Sequence, residues 1–314
     1  MSNRLLTLIA VFFLPITILA QAQTGLYSQA FGDTTKPPVI FLHGGPGYNC
    51  AGFEITTAKN LANKGFFVIV YDQRGCGRSK DMPGPYNMAN NLNDLDSIYN
   101  RYHISSATLL GHSWGGTLGM YYADKYPKKV ARLVLVSSPI SYPQTLRTIQ
   151  KNCKNYFEKQ NDSNRLTFLK TLSSMDTSAL SYATYSFSFA VNCGFYKPLE
   201  PTRACKDLYA MAAKDKDARL LNLMEFPPMQ GLHSDIHYTT LNLTSKLNDL
   251  KKKGVLVFGI YGTDDGLFDD NQRNEIKDIT SDAHFTIIPG ASHNVFIDQQ
   301  QRFFETFMGY MTNQ

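Results

Sequence analysis

Apolar residues in this chain gather in short, almost unbroken runs, at 38–43, 66–71, 107–112 and 132–137, each too brief for a helix of ordinary length. Between them lie longer stretches that read as helices, near 52–64, 89–102 and 115–126. Nearly continuous apolar strands alternating with helices predict a parallel sheet covered on both faces. The pattern returns with strands at 254–261 and 284–289 and helices near 271–280 and 295–312. Leu26 to Phe31 supplies one further strand at the start. There are no internal repeats and no low-complexity tracts.

The alternation breaks at about 141–244, a stretch rich in Tyr, Phe, Ser, Lys and Leu without strand-like runs. It reads as several short helices inserted into the α/β unit. The expected organisation is a first core part over 23–140, a helical cap over 141–244 and a second core part over 245–314. Tyr182, Tyr185, Phe187 and Phe189 form an aromatic cluster that either packs the cap or lines a substrate pocket.

The amino terminus changes the expected compartment. Arg4 precedes an apolar run from Leu5 to Ala20, which closes on Ala20-Gln21-Ala22. A basic start, an apolar middle and small residues at alternate positions describe a cleavable signal peptide over 1–22, and so a secreted or periplasmic protein. The run contains Pro15 and is shorter than the ~20 residues of a membrane span, so no stable membrane insertion is expected after cleavage. The net charge of +5 is spread over lysines that often sit beside acids, as in Lys214-Asp215-Lys216-Asp217. Only Lys251-Lys252-Lys253 forms a run, and it reads as a solvated edge, not a nucleic-acid patch. Five cysteines are too few for a disulfide framework. One bridge among Cys153, Cys193 and Cys205 suits an oxidising compartment, and Cys193–Cys205 is the pairing predicted. Neither a metal nor a cofactor is expected.

The candidate chemistry centres on Gly111-His112-Ser113-Trp114-Gly115. The pentapeptide alone is a weak signal, but here a strand (Ala107 to Leu110) runs into it and a helix (from Thr117) leaves it. Strand, tight turn and helix hold a serine hydroxyl exposed above a sheet, a nucleophile elbow. On such a fold the acid and the base follow in the order Ser, Asp, His. The strand ending at Tyr261 leads into Gly262-Thr263-Asp264-Asp265, where adjacent side chains diverge and only one can face an imidazole; Asp265 is preferred. His293 lies on the loop after the last strand, at the same sheet edge as Ser113. An oxyanion would be held by the amide of Trp114 and by one from His43-Gly44-Gly45-Pro46-Gly47, where Gly45 is the choice.

Together with Tyr71-Asp72-Gln73-Arg74-Gly75-Cys76-Gly77-Arg78-Ser79 and Gly116, these motifs resemble the prolyl aminopeptidase (proline iminopeptidase) family of α/β-hydrolases. The match is good over about 37–137 and looser over 253–312. The resemblance implies an α/β-hydrolase fold and a serine peptidase releasing an N-terminal residue, typically proline, from short peptides. Its G-x-x-D pattern falls on Asp265. Such hydrolases usually have two strands before the oxyanion strand, so a truncated sheet edge is expected here. The family binds the substrate amine with two glutamates, one following a cap tryptophan. This chain has one tryptophan, Trp114, so that element is missing. Asp235-Ile236-His237-Tyr238 echoes the second, which makes Asp235 the candidate amine acid and Glu225 the second choice. An esterase or lactonase on the same triad is the alternative. The partner expected is a small-molecule or short-peptide substrate, with the oligomeric state left open.

Overall fold

The computed structural model describes residues 25–312. The predicted signal segment 1–22 lies outside the described residues. Seven strands form one sheet: β1 (Ser28–Phe31), β2 (Pro38–Leu42), β3 (Phe67–Tyr71), β4 (Ala107–His112), β5 (Val130–Val136), β6 (Leu256–Gly262) and β7 (Phe285–Ile288). Their order is β1-β3-β2-β4-β5-β6-β7. β1 runs antiparallel to β3, and every other pairing is parallel. Among the described residues β1 is the one strand before β2, which is the short edge expected.

Alternation of side chains along each strand explains why both faces are covered. Ile40, Leu42, Ile69, Tyr71, Leu109, Leu133 and Leu135 point to one face and Val39, Phe41, Val68, Val70, Leu110, Val134 and Val136 to the other, all buried. Neither set can face water, so each needs a helical layer. In chain order the helices are α1 (Ala51–Phe53) and α2 (Lys59–Ala62) around a π-helical stretch Glu54–Ala58, then α3 (Met88–Arg101) and α4 (Trp114–Lys125). After β5 come α5 (Tyr142–Lys159), α6 (Ser163–Ser173), α7 (Leu180–Asn192), α8 (Arg203–Ala212) and α9 (Phe226–Ile236). The chain closes with α10 (Thr244–Lys252), α11 (Asp270–Thr280), α12 (Val295–Asp298) and α13 (Gln300–Thr312). Leu95 and Ile98 of α3, Leu118 of α4, Leu247 of α10 and Ile276 of α11 cover the first face. Phe53, Leu61, Phe303 and Phe307 cover the second.

The stretch 295–312 is predicted as one helix but is two. At Gln299 the backbone leaves the helical region (φ −131°, ψ 54°), and its side-chain amide donates to the Gly290 carbonyl at 3.1 Å. That tertiary bond ties the break to the loop after β7.

The helices α5 to α9 are inserted after β5, and the two chain segments that bound them are clamped together. Tyr142 N donates to Leu241 O (2.9 Å) and Leu243 N to Ile140 O (2.6 Å). Of the aromatic cluster, Tyr182 and Phe189 are buried, whereas Tyr185 is 45% exposed. Phe189 packs on Phe157 and Phe168, and Tyr185 on Phe168, so the cluster joins cap helices to one another.

The predicted Cys193–Cys205 bridge is not formed. All five cysteines are free. Cys193 on the rim of α7 meets Cys153 of α5, thiol to thiol. Cys205 belongs to α8, which lies over α12 instead, and its thiol points at Asp298 (3.8 Å). Packing of α5 on α7, which spacing along the chain does not reveal, decides the neighbour.

Candidate active site

Parallel strands deliver their C-terminal ends to one edge, and the predicted serine, acid, base and glycine loop emerge there. Ser113 follows β4 directly, Gly44 and Gly45 follow β2, Asp265 follows β6 and His293 follows β7. Ser113 has φ 52° and ψ −122°, a left-handed conformation that L-residues adopt at a cost of order 1–3 kcal/mol. Its surroundings hold it there: Ser113 N donates to Val136 O at 2.9 Å, and Ser113 O accepts from Gly116 N (3.0 Å) and Ser138 Oγ (2.8 Å). The flanking glycines make the turn possible. A Cβ on Gly111 would stand 2.6 Å from Gly116 Cα, and one on Gly115 would collide with the Leu42 carbonyl of β2.

His293 and Asp265 are both almost wholly buried, and His293 Nδ1 lies 2.9 Å from Asp265 Oδ2. A carboxylate only accepts, so this contact puts a proton on Nδ1, and in the neutral ring the lone pair is then on Nε2. The other oxygen of Asp265 accepts from Leu267 N at 3.1 Å, which fixes the carboxylate plane. Asp264 turns the other way, where it accepts from Thr263 Oγ1 (2.9 Å) and from Leu199 N (3.0 Å) in the cap. Tyr196 of the cap meets the His293 ring edge-on at 5.0 Å, and Phe268 lies parallel to it at 6.3 Å.

The glycine loop lies against the serine: a Cβ on Gly44 would be 3.2 Å from Ser113 Cβ. Gly45 has φ 130°, a conformation that favours glycine. Trp114 is the first residue of α4, so its amide has no partner within the helix and lies at the positive end of the helix dipole. Its indole is fully buried, donating to Gln73 Oε1 at 3.1 Å. Gln73 in turn holds the glycine loop: its amide donates to His43 Nε2 and its side chain to His43 O, each at 2.9 Å. Because Nε2 accepts, His43 Nδ1 carries the proton and donates to Gly44 O (2.8 Å). Burial lowers the pKa of His43, in keeping with a neutral ring.

Two histidines therefore serve the site without being predicted for it. His43 pins the glycine loop. His112, inside the elbow motif, lies 3.0 Å through Nε2 from the His293 carbonyl, with ring centroids 4.9 Å apart. Burial first, and the neighbouring His293 second, push the pKa of His112 well below its ordinary value, so the neutral ring donates to that carbonyl. The Asp72–Ser79 motif proves to be a brace. Asp72, completely buried, accepts from Cys50 N (2.8 Å), Arg78 N (2.9 Å) and Arg78 Nε (2.8 Å). Burial opposes its charge, but the Arg78 guanidinium prevails and holds its pKa below the usual value. Arg78 also pairs with Glu54 (2.8 Å) and with Asp217 of the cap (3.3 Å).

The two predicted amine-binding acids part company. Asp235 is exposed on α9 and accepts from Met88 N at 2.7 Å, so it caps the start of α3. Glu225 begins α9 beside the glycine loop, its amide donating to Gly47 O at 2.8 Å. Tyr48 OH and Asn49 Nδ2 stitch the same cap segment to that loop through Leu221 O (2.8 Å) and Leu220 O (2.7 Å).

A mostly parallel sheet, helices on both faces and an elbow at the strand ends define the class. The chain belongs to the α/β-hydrolase fold family, whose model matches residues 37–300. Curated proteins similar to it include proline iminopeptidases. That of Lactobacillus delbrueckii subsp. lactis is 26% identical over 302 residues, 92% of this chain and 95% of the relative. That of Clostridioides difficile (strain 630) is 32% identical over 137 residues, 42% of this chain, and the match spans less than half of the relative's length, 46%. Among solved structures, a proline iminopeptidase-related protein from Thermus thermophilus superposes with a TM-score of 0.65 at 19% identity, over 90% of this chain and 91% of that one. That similarity speaks to the fold.

Proposed function

We propose that this hydrolase is an exported serine enzyme, acting in the secreted or periplasmic space. It releases an N-terminal residue, proline or a similar one, from short peptides through an acyl-enzyme. The observation that carries the reading is the buried His293–Asp265 pair at 2.9 Å, set at the same strand ends as the strained Ser113. In this mechanism His293 Nε2 takes the Ser113 proton as Oγ attacks the scissile carbonyl. Asp265 stabilises the imidazolium that results. The amides of Gly45 and Trp114 receive the negative charge of the tetrahedral intermediate, where each such donor is worth roughly 10²–10³ in rate. His293 then protonates the leaving amine, and water repeats the sequence to free the acyl group. Glu225, whose backbone amide is tied to the glycine loop, is the candidate acid for a substrate ammonium.

A second reading has its own support. Asp235 is occupied at Met88, and Trp114, the chain's single tryptophan, is buried behind Gln73, so the cap tryptophan–acid element has no counterpart. An esterase or lactonase acting on small acyl substrates needs no amine acid. The test combines a fluorophosphonate probe with a substrate panel. The probe should label Ser113, and Ser113→Ala should abolish both labelling and turnover in folded protein. Release of p-nitroaniline from proline p-nitroanilide, with none from its N-blocked form, is the expected result. Turnover of short acyl esters alone would favour the second reading, and labelling elsewhere would overturn both.

A further inference from the structure

Asp298 is a buried carboxylate to which the chemistry above gives no part. It is 1% exposed at the end of α12, five residues after His293. One oxygen, Oδ2, accepts from Ser292 N at 2.8 Å and from Ser292 Oγ at 2.5 Å. The other, Oδ1, accepts from Tyr209 OH at 2.9 Å and faces the Cys205 thiol at 3.8 Å, both from α8 of the cap. The break at Gln299 ends α12 one residue after this carboxylate, and Gln299 is itself tied to Gly290. Ser292 is the residue before His293, so its backbone sets where the imidazole begins.

Resting on the serine-hydrolase reading, we propose that Asp298 is a positioning residue for His293. Its carboxylate fixes Ser292 on one side and clasps the cap through Tyr209 on the other, so a single charge aligns the base and seats the lid over it. A doubly held Ser292 leaves the His293 backbone little freedom on that side, while the His112 ring holds the His293 carbonyl on the other. Hydrogen bonds to a charged acceptor are about twice as strong as neutral ones, so the charge matters and not only the shape. Finally, burial, and to a smaller degree the Asp265 carboxylate, raise the pKa of Asp298 to about 6 despite the donors from Ser292 and Tyr209. A charge kept at that cost is a poor device for stability and a good one for alignment. The titratable groups facing it are Tyr209 and Cys205 of the cap, both pushed upward by burial and so neutral near pH 7, and Asp265.

The experiment measures the rate constant for fluorophosphonate labelling of Ser113 in the full-length protein from pH 5 to 8. Wild type is compared with Asp298→Asn and Tyr209→Phe. At pH 8 Asp298→Asn is expected to label about ten-fold more slowly, the order of magnitude of one lost hydrogen bond to a charged group. The gap should close as the pH falls through about 6, where the wild-type carboxyl becomes neutral as well. A purely structural role would give a ratio independent of pH, or none at all, and either result would overturn the proposal. Tyr209→Phe leaves the Ser292 bonds intact and should slow labelling less than Asp298→Asn. A larger loss would assign the effect to the cap and overturn the positioning of His293. Absence of labelling in wild type would instead strike the serine-hydrolase reading itself, so the two failures are distinct.

Discussion

Asp264 and Asp265 are adjacent, yet one holds the cap by Leu199 N and the other holds His293 Nδ1. Asp265→Asn replaces an acceptor-only group by one that can donate, which favours the wrong tautomer of His293. The expected loss in kcat is about 10³–10⁴-fold, against less than about ten-fold for Asp264→Asn. Steady-state kinetics on whichever substrate the panel identifies checks this, and equal losses would mean the acid is misassigned. The cap acids invite a similar comparison. Glu225→Gln should raise KM for free-amine substrates by roughly 10–100-fold while an uncharged ester is nearly unaffected, because a charge-assisted contact is worth about 1.5–3 kcal/mol. Asp235→Asn, whose carboxylate serves the α3 start, should not discriminate between the two substrates.

At the scale of elements, the elbow and the brace are where packing constrains sequence most tightly. Gly115 lets α4 begin against the carbonyl of Leu42 in β2, and nothing flexible stands in the way to yield. Gly115→Ala must separate helix from strand and should destabilise by about 1–3 kcal/mol or more in urea unfolding, the range for overpacked cores. Arg78 joins the turn after β3 to the π-helical stretch through Glu54 and to the cap through Asp217, and it also covers the Tyr27 ring at 3.5 Å. Arg78→Met would leave Asp72 charged, buried and without its cation. A loss of about 3–5 kcal/mol is expected, as for a buried ion pair stripped of one partner. Unfolding at the wild-type midpoint would show the brace to be dispensable.

Across the whole molecule, Asp72 and Asp298 bend the pH dependence of stability in opposite directions. Asp72 has a lowered pKa, so its contribution is present above the unfolded value near 4 and is lost as pH falls through the lower folded one. Asp298, raised to about 6, binds its proton more tightly when folded. Its effect is therefore a loss of stability as pH rises from about 4 to about 6. A rise of that size corresponds to about 3 kcal/mol. Relative to wild type, Asp298→Asn should gain about that much between pH 4 and pH 7 in denaturant titrations, while its fluorophosphonate labelling slows. A constant difference across that range would show that the carboxyl does not titrate as placed.

Sheet class, strand order along the chain and the loop position of each chemical group were legible in the sequence, because short apolar runs and glycine-rich turns are local signals. Ser113, Asp265 and His293 needed only their places at strand ends to be set on one edge of a parallel sheet. The tertiary structure alone decided what meets what beyond that edge. Asp235 reads as a cap acid near an Asp-Ile-His-Tyr stretch, but the angle of α9 hands its carboxylate to Met88 and brings Glu225 to the glycine loop instead. Cys193 is close to Cys205 along the chain and close to Cys153 in space, since helices choose neighbours by faces. His43, His112, Gln73 and Asp298 carry no motif that names their partners. Gln73 reaches His43, His112 reaches His293 and Tyr209 reaches Asp298 across 30 to 181 residues of chain, contacts that packing determines and local pattern does not.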